Sequence, residues 1–155
     1  MQDRAKDVND TREALSRIER IGRVGWYLAT PYSGIENKDE AYRDAAVAIG
    51  GLVSVGIMAY SPILHWHPIA KLNPNLPTDA EFWRYQNEHT LRNSTGLIVY
   101  QMPGYISSKG VSSEIEFMYS LRKPIVYLPY HAGGSTIPQE NVSAENLSRE
   151  DGVEG

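Results

Sequence analysis

The segment Thr95–Tyr130, "TGLIVYQMPGYISSKGVSSEIEFMYSLRKPIVYLPY", decides the fold. "TGLIVYQM" is a run of β-branched and aromatic residues, which reads as a buried strand. "PGYISSKG" is a loop with the punctuation of Pro and Gly. "SSEIEFMYSLR" has helical spacing, and "PIVYLPY" is again a strand. A strand, a helix and a second hydrophobic strand make a βαβ unit, which implies a parallel sheet.

The same alternation runs upstream. "RVGWYLAT" reads as a strand stopped at Pro31, and the loop "PYSGIENKD" follows. Ala41, Ala45, Ala48, Ile49 and Leu52 recur at helical spacing, with Gly56 as the stop signal. "IMAYSP" reads as a further strand. "ILHWHPIAKLNPNLP", rich in Pro and Asn, reads as a long irregular connection. Thr78 and Glu81 have the spacing of a capping box, opening a helix that shows Phe82, Trp83 and Leu91 on one side. Leu15, Ile18 and Ile21 predict a short amphipathic helix from Thr11, suited to covering a sheet edge or a partner subunit. The expectation is a single flavodoxin-like or Rossmann-like α/β domain over residues 23–130. Its parallel sheet has four to five strands flanked by helices. A helical extension precedes it at residues 1–22, and a polar tail follows at 131–155.

Composition narrows the function. The chain has 155 residues, a net charge of -4 and no cysteine. No basic stripe suggests nucleic-acid binding. Disulfides and thiolate chemistry are excluded, which fits a cytoplasmic protein. The apolar run "AAVAIGGLVSVGIMAY" is too short and too glycine-rich for a membrane span. Ten tyrosines and three tryptophans could pack a core or stack on a flat ring.

In parallel α/β sheets, ligands bind beyond the carboxyl ends of the strands. Three loops lie there: "TPYSG" (Thr30, Pro31, Tyr32, Ser33, Gly34), "SPILHWHP" and "MPGYISSKGVSSE". On a helical wheel Glu114 falls in the same sector as Ile115, Phe117, Met118, Tyr119 and Leu121, whereas Glu116 points away. A carboxylate facing a core is costly unless it is paired or lines a cleft. Asn87 shares the inner face of Trp83 and Leu91 in the same way. His65 and His67 in "LHWHP" suit proton transfer near neutrality. No motif supplies further ligands for a metal, so neither metal nor cofactor is expected. Trp66 between them could stack on a flat ring or pack in the core.

"YLATPYSG" and "SSKGVSSEIEF" resemble segments of the nucleoside 2-deoxyribosyltransferase superfamily, which includes the deoxynucleoside 5′-monophosphate N-glycosidases. The resemblance spans roughly residues 24–128. It implies that Glu114 attacks the anomeric carbon of a deoxyribonucleoside and that Tyr27 steers or hydrogen-bonds it. Asn87 stands where that superfamily usually has an aspartate assisting the leaving base. An amide cannot protonate a base, which leaves His65, His67, Asp79 and His89 as candidate acids. Ser108 replaces an aspartate found near the 5′-hydroxyl in nucleoside-specific members. With Gly110, Val111 and amides expected at a helix start near Ser112 and Ser113, it would favour a 5′-phosphate. Pro31 replaces a serine of the phosphate hydrolases. The expected partner is a small deoxynucleotide or nucleoside, and the resemblance also implies a homo-oligomer.

Overall fold

The computed structural model describes residues 2–130 of the chain; the predicted tail at 131–155 lies outside the described residues. Four parallel strands form one sheet in the order β2-β1-β3-β4. They are β1 (Trp26–Ala29), β2 (Ala59–Tyr60), β3 (Gly96–Gln101) and β4 (Ile125–Pro129). Five helices accompany them: α1 (Gln2–Ile21), α2 (Lys38–Ser54), α3 (Pro62–Leu72), α4 (Ala80–Arg92) and α5 (Lys109–Ser120). The protein is thus an α/β domain of the flavodoxin-like or Rossmann-like kind, with four strands among the described residues.

Alternation along the strands gives the sheet two apolar faces. On one, Trp26, Leu28, Ile98 and Leu128 pack with Ala14 and Ile18 of α1 and Ala48 and Leu52 of α2. On the other, Tyr27, Ala29, Leu97 and Val99 pack with Leu91 of α4 and with Val111 and Met118 of α5. The sheet passes close to its neighbours at Gly96, where a Cβ would lie 2.6 Å from the Trp26 ring and 2.8 Å from the Pro124 carbonyl. Only glycine fits there.

Strand order reverses between β1 and β3. The chain leaves β1 towards β2 on one side and leaves β3 towards β4 on the other. The loops after β1 and β3 therefore part to opposite faces, the kind of switch point at which parallel α/β sheets bind ligands.

Several expectations need correction. The connection read as irregular is largely α3. Pro62 sits at its first turn, where a missing N–H costs nothing, and Pro68 is accommodated inside the helix. The Pro and Asn content misled because only residues 73–79 are irregular. Asp79, not Thr78, caps α4, accepting from the Phe82 amide at 2.8 Å. Helix α5 begins at Lys109, not near Ser112 and Ser113, because Ser108 takes the N-cap position. Tyr119 is 78% exposed, outside the inner sector the wheel assigned to it. Helix α1 runs a full 20 residues and packs on β4, where Arg17 donates to the Ile125 carbonyl at 3.1 Å. It covers the β4 edge of the sheet, with Ala14 and Ile18 in the core of that face. No helix among the described residues is long and apolar enough to cross a membrane.

Candidate active site

Tyr27 lies in the middle of the sheet, in register with Tyr60 of β2 and Leu97 of β3. Its ring is buried in the core and its hydroxyl reaches the second turn of α5. There it donates to Glu114 Oε1 at 3.0 Å. That is the only side-chain hydrogen bond of Glu114 among the described residues, so Oε2 has no partner there. Glu116, two residues on, is exposed.

A small opening to solvent remains at Glu114, but protein surrounds it densely. Burial pushes its carboxyl up to about 8, against the opposing pull of the Tyr27 hydrogen bond. Burial, and then the neighbouring Glu114, push the Tyr27 hydroxyl well above its ordinary value. Tyr27 therefore stays protonated and remains a donor, whatever the state of Glu114.

From this pair an aromatic wall leads to α3 and α4. The Tyr27 and Tyr60 rings are 5.7 Å apart, Tyr60 and His65 6.4 Å, His65 and Trp66 4.5 Å, and Trp66 and Trp83 5.2 Å. At its end Trp66 Nε1 donates to Asn87 Oδ1 at 2.7 Å. Tyr60 and Trp83 are wall residues that the sequence did not single out as site candidates. Their register with Tyr27 and contact with Trp66 needed the fold.

The loop after β3 leads into α5, which carries Glu114. Ser108 Oγ accepts from the Val111 amide at 3.3 Å, and the Ser112 amide bonds the Ser108 carbonyl at 3.0 Å. The free amides at this helix end belong to Lys109 and Gly110. Ser112 and Ser113 lie further along the helix, so they do not supply the expected donors. A Cβ on Gly110 would meet only Ser108 Oγ, at 3.8 Å, so the approach to that amide is open. Val111 itself is buried core.

His67 is drawn elsewhere. It is buried, stacks on Tyr42 at 4.8 Å, and has both ring nitrogens engaged. Nδ1 meets the Tyr32 hydroxyl at 2.8 Å and Nε2 meets Asp39 Oδ1 at 2.8 Å. Lys71 binds the same carboxylate at 3.0 and 3.1 Å. Lys71 first, then His67, hold the Asp39 carboxyl below its usual range. Lys38 clasps the loop by donating to the carbonyls of Tyr32, Ser33 and Ile35. Together these residues line a shallow surface depression beside α2 and α3. A second hollow, lined by Tyr119, Ser120, Arg122 and Lys123, lies at the far end of α5 from Glu114.

So the structure links Glu114, Tyr27, His65, Trp66 and Asn87 through successive contacts. Tyr32 and His67 sit in a separate network. Asp79 is occupied as a helix cap, and His89 is an exposed residue of α4. Thr30 and Pro31 are buried at the end of β1, and Ser33 and Gly34 are exposed. Among the described residues the buried hydroxyls of Thr30 and Ser61 have no hydrogen-bond partner. Among the described residues no group of His, Asp and Glu is arranged to hold a metal.

The fold and this arrangement define a doubly wound parallel α/β protein with a buried glutamate at its switch point. More particularly, the chain belongs to the DUF1937 family, a domain of unknown function, whose pattern matches residues 9–129. The match begins inside α1 and ends with β4, so it takes in the whole sheet. No curated protein matches the chain.

Proposed function

We propose that the protein is an N-glycosidase that hydrolyses the base–sugar bond of a 2′-deoxyribonucleoside 5′-monophosphate, the base being ordinary or modified. The observation that carries this reading is the Tyr27–Glu114 pair, which fixes one carboxylate oxygen and leaves the other without a partner among the described residues. Its resemblance to the deoxyribosyltransferase segments supports the same role.

In the reaction, ionised Glu114 attacks C1′ through Oε2 while Tyr27 holds Oε1. The C1′–N bond breaks and its electron pair stays on the departing base. Water then hydrolyses the glycosyl ester, restoring Glu114 and releasing the sugar phosphate. The Ser108 hydroxyl proton and the free Lys109 and Gly110 amides suit the 5′-phosphate. The aromatic wall from Tyr60 to Trp66 suits the base. No metal or cofactor takes part in the scheme. Base transfer between deoxyribonucleosides, or cleavage of a dinucleotide such as NAD, would use the same nucleophile.

A second reading, a nucleotide-binding sensor without turnover, is favoured by one observation. A carboxyl raised to about 8 is mostly protonated at neutral pH, and so hydrogen-bonds better than it attacks. Chromatography of deoxynucleotide monophosphates incubated with the protein separates the two. Released base supports the enzyme; tight binding with every substrate intact overturns it in favour of the sensor. Added free base captured in a new deoxynucleotide would indicate transfer.

A further inference from the structure

The bond between Trp66 and Asn87 constrains what the site can recognise. An indole nitrogen only donates. The amide must therefore turn its carbonyl to Trp66, and its orientation is fixed chemically as well as by the 2.7 Å distance. Asn87 Nδ2, with two N–H donors, has no hydrogen-bond partner among the described residues. Asn87 is half-buried, and the ring contacts from Trp66 through His65 and Tyr60 to Tyr27 put it on the same wall as Glu114. Trp66 is itself braced by the Trp83 ring at 5.2 Å, so the indole is not free to swing away.

We propose that Asn87 is a specificity-determining residue, locked by Trp66 to present donors, and that the site selects nucleotides whose base offers a carbonyl edge over those offering an amino edge. This rests on the reading of the site as a deoxynucleotide site. An amino group facing Asn87 would set donor against donor and leave both unpaired. Polar sites discriminate strongly against such mismatches. Trp66 acts as a positioning residue: it needs no contact with the base, only with the amide.

The test uses two matched pairs of 2′-deoxynucleoside 5′-monophosphates, uracil against cytosine and hypoxanthine against adenine. Each pair exchanges one carbonyl for one amino group on otherwise similar rings. Both Kd, by calorimetry, and base release are measured for the wild type, Trp66→Phe and Asn87→Asp. We expect the carbonyl member of at least one pair to bind about tenfold or more tightly to the wild type. Trp66→Phe removes the indole donor, lets the amide turn, and should cut that ratio to below about threefold. Asn87→Asp can still accept from Trp66 but turns an acceptor to the ligand, so the preference should invert. Should Trp66→Phe fail to fold, the near-isosteric Asn87→Asp carries the test. A wild-type preference for amino members, or a ratio untouched by Asn87→Asp, overturns the proposal. Carbonyl selectivity in Kd without any base release leaves it standing and removes the glycosidase. Base release from all four at similar kcat/KM does the reverse. Failure of all four to bind overturns both.

Discussion

Two tyrosine hydroxyls in this protein each meet a titratable group at about 3 Å, with opposite consequences. Tyr32 joins His67, Asp39 and Lys71 in a network where the imidazole has a partner on both nitrogens. The Asp39 carboxylate only accepts, so Nε2 is the donor to it, while Nδ1 shares a hydrogen bond with the Tyr32 hydroxyl. With both nitrogens engaged, the ring ties the β1–α2 loop to α3. Tyr27 joins Glu114, whose second oxygen has no partner among the described residues and whose proton is held by burial. The histidine is the residue type more often suspected of chemistry, yet the carboxyl has the spare valence. Satisfied polar groups hold a fold together, and an unsatisfied one such as Glu114 on α5 is available to a ligand.

The sharpest way to break this contrast is to remove the spare oxygen. Glu114→Gln keeps shape and loses the nucleophile, and base release should fall by on the order of 10⁴-fold. Glu116→Gln, on the solvent side of the same helix, should stay within about twofold. Equal losses in two variants with wild-type circular dichroism would end the assignment.

The proton on Glu114 gives the next largest effect. The unfolded chain should titrate this group near 4.5 and the folded one near 8. Between those values the folded state binds a proton that the unfolded state lacks. Its stabilising contribution is therefore complete below about pH 4.5 and is lost as pH rises through about 8, a few kcal/mol in all. Denaturation in urea across this range should show that slope for the wild type and a reduced one for Glu114→Gln. Activity runs the other way, because attack needs the carboxylate: kcat/KM should climb with pH towards about 8. Tyr27→Phe removes the one interaction that lowers the Glu114 value, so the rise should move to higher pH. A pH-independent kcat/KM would place the essential ionisation elsewhere.

His67 should behave as the opposite case. His67→Ala strips Tyr32 and Asp39 of a buried partner and removes the ring stacked on Tyr42. We expect it to cost about 2 kcal/mol of stability by urea denaturation. Per folded molecule, base release should change less than about threefold. A large loss of activity in a fully stable variant would make this network part of the chemistry after all.

Much of this arrangement was legible in the sequence, and the failures share a cause. The wheel separated Glu114 from Glu116 because helical period alone decides which face a residue takes. The parallel sheet followed from strands alternating with helical spacing. Helix α3 was hidden because proline marks a break in most positions, and its tolerance at the first turn shows only once the strand before it is placed. His65 and His67 looked alike in "LHWHP". On a helix two residues apart they face different ways, so one joins the aromatic wall and the other the Asp39 network. The pairing of Trp66 with Asn87, 21 positions apart, needed the packing of α3 on α4.

The smallest effect concerns the start of α5, where one hydroxyl has two uses. Ser108 Oγ caps α5 by accepting from the Val111 amide, and its own proton remains available to a ligand. Ser108→Ala loses both and should cost about 1 kcal/mol of stability from the cap. Ser108→Asp separates them. A carboxylate caps a helix as well as a serine does and favours the positive helix end, so the fold should hold or gain slightly. It has no proton to give and repels a phosphate dianion. The ratio of kcat/KM for a deoxynucleoside monophosphate to that for its nucleoside should therefore fall about tenfold in Ser108→Asp, while the urea midpoint stays put. In Ser108→Ala the midpoint should drop and the ratio should fall less, because the donor is lost without added repulsion. A Ser108→Asp protein with its phosphate preference intact would mean that Ser108 is a cap and nothing more, and that the phosphate, if recognised at all, is held by other groups.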